Sequence, residues 1–135
     1  MAKDLEGKTV FITGASTGIG AAAARAFARQ GSKVVIHYNA SRDKAEAVAS
    51  DCKALGAPTA LVSGDVTQGA HVKRIAADAL AAFGRIDVLI NNAGGLVGRT
   101  RIEDYTYEFL AKVVALNITH VALFMCEVIP VMRRQ

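Results

Sequence analysis

Short apolar runs alternate along this chain with longer stretches of helical period. The runs Thr9–Thr13, Lys33–His37, Thr59–Val62 and Asp87–Ile90 are brief and rich in β-branched or aliphatic residues. That is the pattern of strands covered on both faces. Between them, Ile19, Ala23, Ala26 and Phe27 mark one helical stripe, and Ala45, Val48, Ala49, Cys52 and Leu55 a second. Val72, Ile75, Ala76, Ala79, Leu80 and Phe83 mark a third. Gly31, Gly56 and Gly84 close the three in turn, each suited to the left-handed position past a helix end. The segment from Tyr105 to Arg134 predicts a long helix or a broken pair, kinked or ended by Pro130.

Strand–helix alternation of this kind predicts an α/β fold: a Rossmann-like, three-layer αβα arrangement with a parallel sheet and right-handed crossovers. The expected strand order is 3-2-1-4, with winding reversed between the first and fourth strands, where ligands bind in such sheets. The 135 residues make one ordinary domain, 1–135, large enough for a real core.

Composition changes this picture little. Hydrophobic residues at 52% and charged ones at 21% fit a soluble globular protein. The net charge of +4 suggests mild attraction for anions. Arg25, Arg29, Lys33, Lys73, Arg74 and Arg85 are dispersed, with no interleaved stacking aromatics, so nucleic acid is not an expected partner. The opening MAKDLEGK is polar, which predicts no secretory signal, and no apolar stretch reads as the ~20 residues of a membrane span. Cys52 and Cys126 form no metal or redox motif. Each falls on an apolar helix stripe, as small buried thiols of a cytoplasmic protein would.

The candidate chemistry begins at TGASTGIG, residues 13–20, which packs three of the chain's 12 glycines into eight positions at the end of the first strand. Gly14 permits a sharp turn, Gly18 lets a phosphate approach with no Cβ in the way, and Gly20 lets the helix pack closely. The helix beginning near Ile19 offers unpaired N–H groups and a positive dipole end to a pyrophosphate. Ser16 and Thr17 add hydroxyl donors. Alone, such a turn also reads as a loop that needed flexibility.

Three motifs stand in order: Thr13-Gly14-x-x-x-Gly18-x-Gly20, Gly64-Asp65-Val66 after strand three, and Asn91-Asn92-Ala93-Gly94 after strand four. Together they resemble the short-chain dehydrogenase/reductase family, above all its 3-oxoacyl-acyl-carrier-protein reductase-like members. The resemblance runs from about Leu5 to the last residue. It implies an NAD(P)-binding domain that serves hydride transfer between nicotinamide and a small carbonyl or alcohol substrate, a carrier-bound 3-oxoacyl thioester among the candidates. It gives Asp65 the adenine amino group and Val66 the adenine ring, although Asp65 also reads as an N-cap for the third helix. Asn92, Ala93 and Gly94 would line the crevice near ribose and nicotinamide, with Asn91 structural. Asn117 matches the asparagine that supports a water relay in the active site. It shares a stripe with Leu110, Val113, Val114, Val121, Phe124 and Val128, so a satisfied core amide is the alternative.

At the end of strand two, where an NAD-preferring enzyme places an acid, stands Tyr38, followed by Asn39, Ala40, Ser41 and Arg42. A hydroxyl and a guanidinium there suit a 2′-phosphate, so NADP is expected and NAD less so. Arg42 also reads as a solvated charge, and Thr17 stands where many NADP-using relatives carry arginine. The Tyr-x-x-x-Lys pair of the family is not found: Tyr38, Tyr105 and Tyr107 are followed at four by Arg42, Phe109 and Ala111. The chain therefore resembles the cofactor-binding amino-terminal half of a reductase, expected to be inactive alone and to self-associate. A non-catalytic nucleotide-binding module, or a fragment stabilised by self-association, is the alternative.

Overall fold

A computed structural model describes residues 4–135. Its elements follow the predicted alternation: β1 (Thr9–Ile12), α1 (Gly18–Arg29), β2 (Lys33–Tyr38), α2 (Arg42–Ala54), β3 (Thr59–Ser63), α3 (Gly69–Phe83) and β4 (Val88–Ile90). A short 3₁₀ turn at Ile102–Asp104 leads to a helix over Tyr107–Arg134. That helix comprises α4 (Tyr107–Val114), a π-helical turn (Ala115–Thr119) and α5 (His120–Arg134). The strands form one parallel sheet in the order β3-β2-β1-β4. Strand ends differ from the predicted ones by one residue: Thr13 and Asp87 fall outside, Tyr38 and Ser63 inside.

Alternation along the strands divides the core between two layers. Val10 and Ile12 of β1 and Val34 and Ile36 of β2 join Ala21, Ala24, Ala28, Ala45, Val48 and Cys52 on the side of α1 and α2. Phe11, Val35 and Val62 join Val72, Ile75, Ala79, Phe124 and Val128 on the side of α3 and α5. The ring of Phe124 meets Phe11 edge-on, with centroids 5.6 Å apart.

Several expectations are corrected. The buried stripe of α1 is Gly20, Ala21, Ala24 and Ala28. Ile19 is 83% exposed, Ala26 is exposed, and Ala23 and Phe27 are half-buried. The helix sits against the sheet on its smallest side chains, so the larger ones stand at its flanks. Leu55 is exposed just past α2, and Cys126 is exposed while Cys52 is buried. Pro130 does not end the last helix. Both Pro130 and Cys126, four residues before it, face solvent, so the carbonyl that loses its helical donor can reach water. The interruption comes earlier, at the π turn. Nor does the last helix respect the expected limit on apolar stretches: it runs for 28 residues, and its most apolar 18-residue window, with mean hydropathy 1.8, is long and apolar enough to cross a membrane. It nevertheless carries Glu108, Lys112 and Glu127, and seats Phe124 and Val128 in the core.

Candidate functional site

The three motif segments meet at the carboxyl ends of β1, β3 and β4, around a cleft of about 540 Å³. The loop after β1 forms one wall. Gly14 (φ +62°) and Gly18 (φ +55°) adopt left-handed backbone that disfavours side chains. A Cβ on Gly14 would stand 2.8 Å from the Cα of Ala93, and one on Gly20 would stand 2.5 Å from both the Asn92 amide nitrogen and the Gly14 carbonyl oxygen. At Gly18 a Cβ would meet nothing within 4 Å, so the space above it is free for a ligand.

Thr17 caps α1 without a side-chain hydrogen bond, and no acid lies in the first turn. The first bond into the helix runs from the Ala21 N–H to the Thr17 carbonyl at 3.2 Å. The N–H groups of Gly18, Ile19 and Gly20 precede it and have no helical acceptor. A wall of this kind, with bare glycine, orphan donors and the positive end of a helix dipole, fits a diphosphate.

The second wall is set by β2 and β3. His37, 2% exposed, accepts the Gly14 N–H at Nδ1 (3.0 Å) and donates from Nε2 to the Gly64 carbonyl (2.9 Å). Burial holds its pKa below the usual value, against the pull of the Gly64 bond. Asp65 accepts from the N–H and the hydroxyl of Thr67 at 2.9 and 2.7 Å, and these bonds hold its carboxyl below the usual range. It is no N-cap, since Gln68 occupies that position of α3. Val66 is buried beside it. Tyr38, Asn39, Ala40 and Ser41 complete this wall, which holds no carboxylate at the end of β2.

The third wall follows β4. The Thr13 hydroxyl accepts the N–H groups of Asn92 (2.9 Å) and Ala93 (3.0 Å) and donates to the Ile90 carbonyl (3.3 Å). The Asn92 amide donates to the carbonyls of Thr13 and Gly14, both at 3.0 Å. The tie between strand ends therefore belongs to Asn92, expected as a lining residue, more than to Asn91, whose buried Oδ1 has no partner. Asn117 sits in the π turn. Its Oδ1 accepts the Gly95 N–H (2.9 Å), and its Nδ2 donates to the carbonyls of Gly95 and Val113, both at 3.0 Å. It latches the loop after β4 to the last helix.

Of the predicted residues, Gly14, Ser16, Thr17, Gly18, Ile19, Tyr38, Asn39, Ser41, Asp65, Val66, Asn92, Ala93 and Gly94 line one cleft. Gly20 lies beneath its loop. Asn117 stands behind the lining, next to Leu116, which belongs to it. Arg42 is not brought in: it opens α2 with its Nε 2.7 Å from Glu46, exposed to solvent. His37 and Thr13 were missed as site residues. Thr13 opens the glycine motif but was given no role of its own, and the only sequence signal of His37 is a polar side chain at the end of an otherwise apolar strand.

The family model for short chain dehydrogenases matches residues 8–135. An uncharacterized oxidoreductase of Methylorubrum extorquens is 40% identical over 119 residues, covering 88% of this chain and 48% of that protein. The 3-oxoacyl-[acyl-carrier-protein] reductase FabG of Staphylococcus epidermidis is 41% identical over 87 residues, covering 64% of this chain and 36% of its own length. Among solved structures, the NADH-dependent reductase A1-R′ complexed with NAD superposes with a TM-score of 0.94 at 34% identity, over 99% of this chain and 55% of that one. A Burkholderia cenocepacia dehydrogenase with bound NADP gives 0.86 at 31% identity, over 94% and 49%. The chain thus spans about half the length, or less, of the proteins it matches. With its sheet order, its glycine-lined cleft and these likenesses together, the chain belongs to the short-chain dehydrogenase family.

Proposed function

We propose that this chain provides the cofactor-binding half of a cytoplasmic NADP(H)-dependent oxidoreductase that interconverts a carbonyl and an alcohol. The observation that carries this reading is the convergence of the three motif segments on one cleft whose floor is the bare, donor-rich start of α1. Bound there, a nicotinamide dinucleotide would supply or take the hydride. The chain's own part is to bind and orient. The N–H groups of Gly18, Ile19 and Gly20 and the hydroxyls of Ser16 and Thr17 would hold the diphosphate. Asp65 keeps Oδ1 on Thr67, which leaves Oδ2 to accept an adenine amino group beside Val66. Asn92, Ala93 and Gly94 would flank the nicotinamide ribose.

The preference for NADP rests on the end of β2, where Tyr38, Asn39 and Ser41 offer polar groups and no carboxylate that would repel a 2′-phosphate. Arg42 would have to exchange Glu46 for that phosphate. The likeness to one structure holding NAD and another holding NADP is compatible with either cofactor. Among the 135 residues no tyrosine precedes a lysine by four, so the proton-transfer step is assigned to none of them and the chain alone is expected to turn over no substrate. A 3-oxoacyl group on a carrier is one candidate substrate, by likeness to the reductase FabG.

Calorimetric titration of the 135-residue chain with NADP⁺ and NAD⁺ tests this. Both are expected to bind, NADP⁺ the tighter. Binding of neither would sink the site, and tighter binding of NAD⁺ would sink the preference.

A further inference from the structure

His37 stands on β2, between β1 and β3, so its ring lies between the two segments that must be held apart at the right distance to take a dinucleotide. One is the glycine loop after β1, for the diphosphate; the other is Gly64-Asp65-Val66 after β3, for the adenine. The ring touches both, accepting the Gly14 N–H at 3.0 Å and donating to the Gly64 carbonyl at 2.9 Å. Main-chain bonds run parallel to it: the Ala15 N–H donates to the His37 carbonyl (2.8 Å) and the Gly64 N–H to the Tyr38 carbonyl (3.1 Å). A backbone N–H can meet Nδ1 only if that nitrogen is bare, and a carbonyl can meet Nε2 only if that nitrogen carries the proton. One species satisfies both: the neutral Nε2–H tautomer.

We propose that neutral His37 is a positioning residue for the dinucleotide, setting the separation of the diphosphate loop from the adenine segment, and that its protonation releases the loop and weakens cofactor binding. A second ring proton would set Nδ1–H against the Gly14 N–H. Gly14, the half-buried left-handed turn residue, would then lose the acceptor that the 2%-exposed ring supplies.

The charged neighbours do not offset this. A charge on His120, fully buried at the start of α5, would disfavour one on His37. The His120 Nε2 is bound to the Leu116 carbonyl at 2.8 Å. From the β3–α3 side, the Asp65 carboxylate is engaged by Thr67, and His71 accepts the Asp65 N–H at 3.3 Å. Arg74 donates to the Ser63 carbonyl at 3.0 Å and pairs with Asp78. The glycine loop and the first turn of α1 bring no charged side chain. The lowered pKa of the buried ring agrees with this geometry. Because the folded value lies below the ordinary 6.5, stability and binding are fully present above that pH and are lost as pH falls through and below it.

This inference rests on the dinucleotide reading of the cleft, and the test separates the two. NAD⁺, which has no group titrating between pH 5 and 8, is titrated calorimetrically into the wild-type chain, His37→Asn and His37→Leu. Wild-type affinity is expected to fall with pH, approaching about tenfold per unit below the folded pKa. Asparagine places Oδ1 where Nδ1 stood and loses the Gly64 bond. H37N should bind a few-fold more weakly than wild type at pH 8, with no slope below it. H37L should bind weakly throughout. A flat wild-type profile, or an H37N profile as steep as the wild type's, overturns the proposal. ¹⁵N NMR of the His37 ring at pH 8 reads the tautomer without substitution, whether or not H37L folds. A proton on Nδ1 overturns the proposal. If NAD⁺ fails to bind at pH 8, the dinucleotide reading falls while the tautomer still decides the role of the ring.

Discussion

Gly14, Gly18 and Gly20 lie within seven residues, and each is glycine for a different reason. Gly20 has no room, Gly14 has neither room nor an ordinary φ, and Gly18 has room but a left-handed backbone. The substitutions should therefore separate. Gly20→Ala drives a methyl into Asn92 and the Gly14 carbonyl, so thermal unfolding should shift down by several degrees. Gly18→Val imposes about 1–2 kcal/mol of backbone strain and fills the space above the loop, so NADP⁺ affinity should fall tenfold or more by calorimetry. Thr13→Val removes a hydroxyl that receives two N–H groups. It should cost about 1–3 kcal/mol in urea unfolding, since both donors would be left unpaired. The glycines were legible because their spacing is local. Thr13 and His37 were not, because their partners lie some 80 and 25 residues away and only strand register brings them together.

At the scale of elements, strands and helices were legible where hydrophobic period and closing glycines agreed, as in α3, whose stripe and Gly84 cap (φ +74°) stand as read. In α1 the stripe was misplaced because alanine, too small to dominate a pattern, is what lets that helix approach the sheet. The last helix was misread at its break. Its irregular turn arises at Asn117, whose side chain also bonds the Val113 carbonyl, and no proline marks it. The turn aims one amide at both main-chain groups of Gly95. Asn117→Ala should free the loop after β4: amide exchange across 94–101 should accelerate while the melting temperature changes little. Unchanged exchange would leave the π turn with no part in holding that loop. At the opposite end of the sheet, Asp87 accepts the Thr9 N–H at 2.9 Å, with Arg85 holding its carboxyl below the usual range. This support is present above the ordinary carboxylate pKa of 3.8 and is lost as pH falls below it.

At the scale of the whole molecule, the sheet of the described residues ends in two edge strands, β3 and β4. β4 is a terminal strand, paired to β1 and to no other strand among the described residues, and its residues are half-buried. The last helix lays one face on α3 and β1 through Phe124 and Val128. Around it, Ile118 (60% exposed), Met125 and Ile129 (each 39%) fall seven and four residues apart, one stripe turned to solvent. An unpaired strand edge and an exposed apolar helical stripe are both surfaces that other chains pair with or cover. The 135-residue chain should therefore sediment as an oligomer at tens of micromolar, with the helical stripe supplying most of the apolar contact. Met125→Glu with Ile129→Glu should shift it toward monomer while leaving Phe124, Val128 and the nucleotide cleft in place, so NADP⁺ affinity should persist. Were the double variant to associate as strongly as the wild type, the β4 edge would have to be the surface that joins the chains, and a charge placed on that strand would be the substitution that parts them.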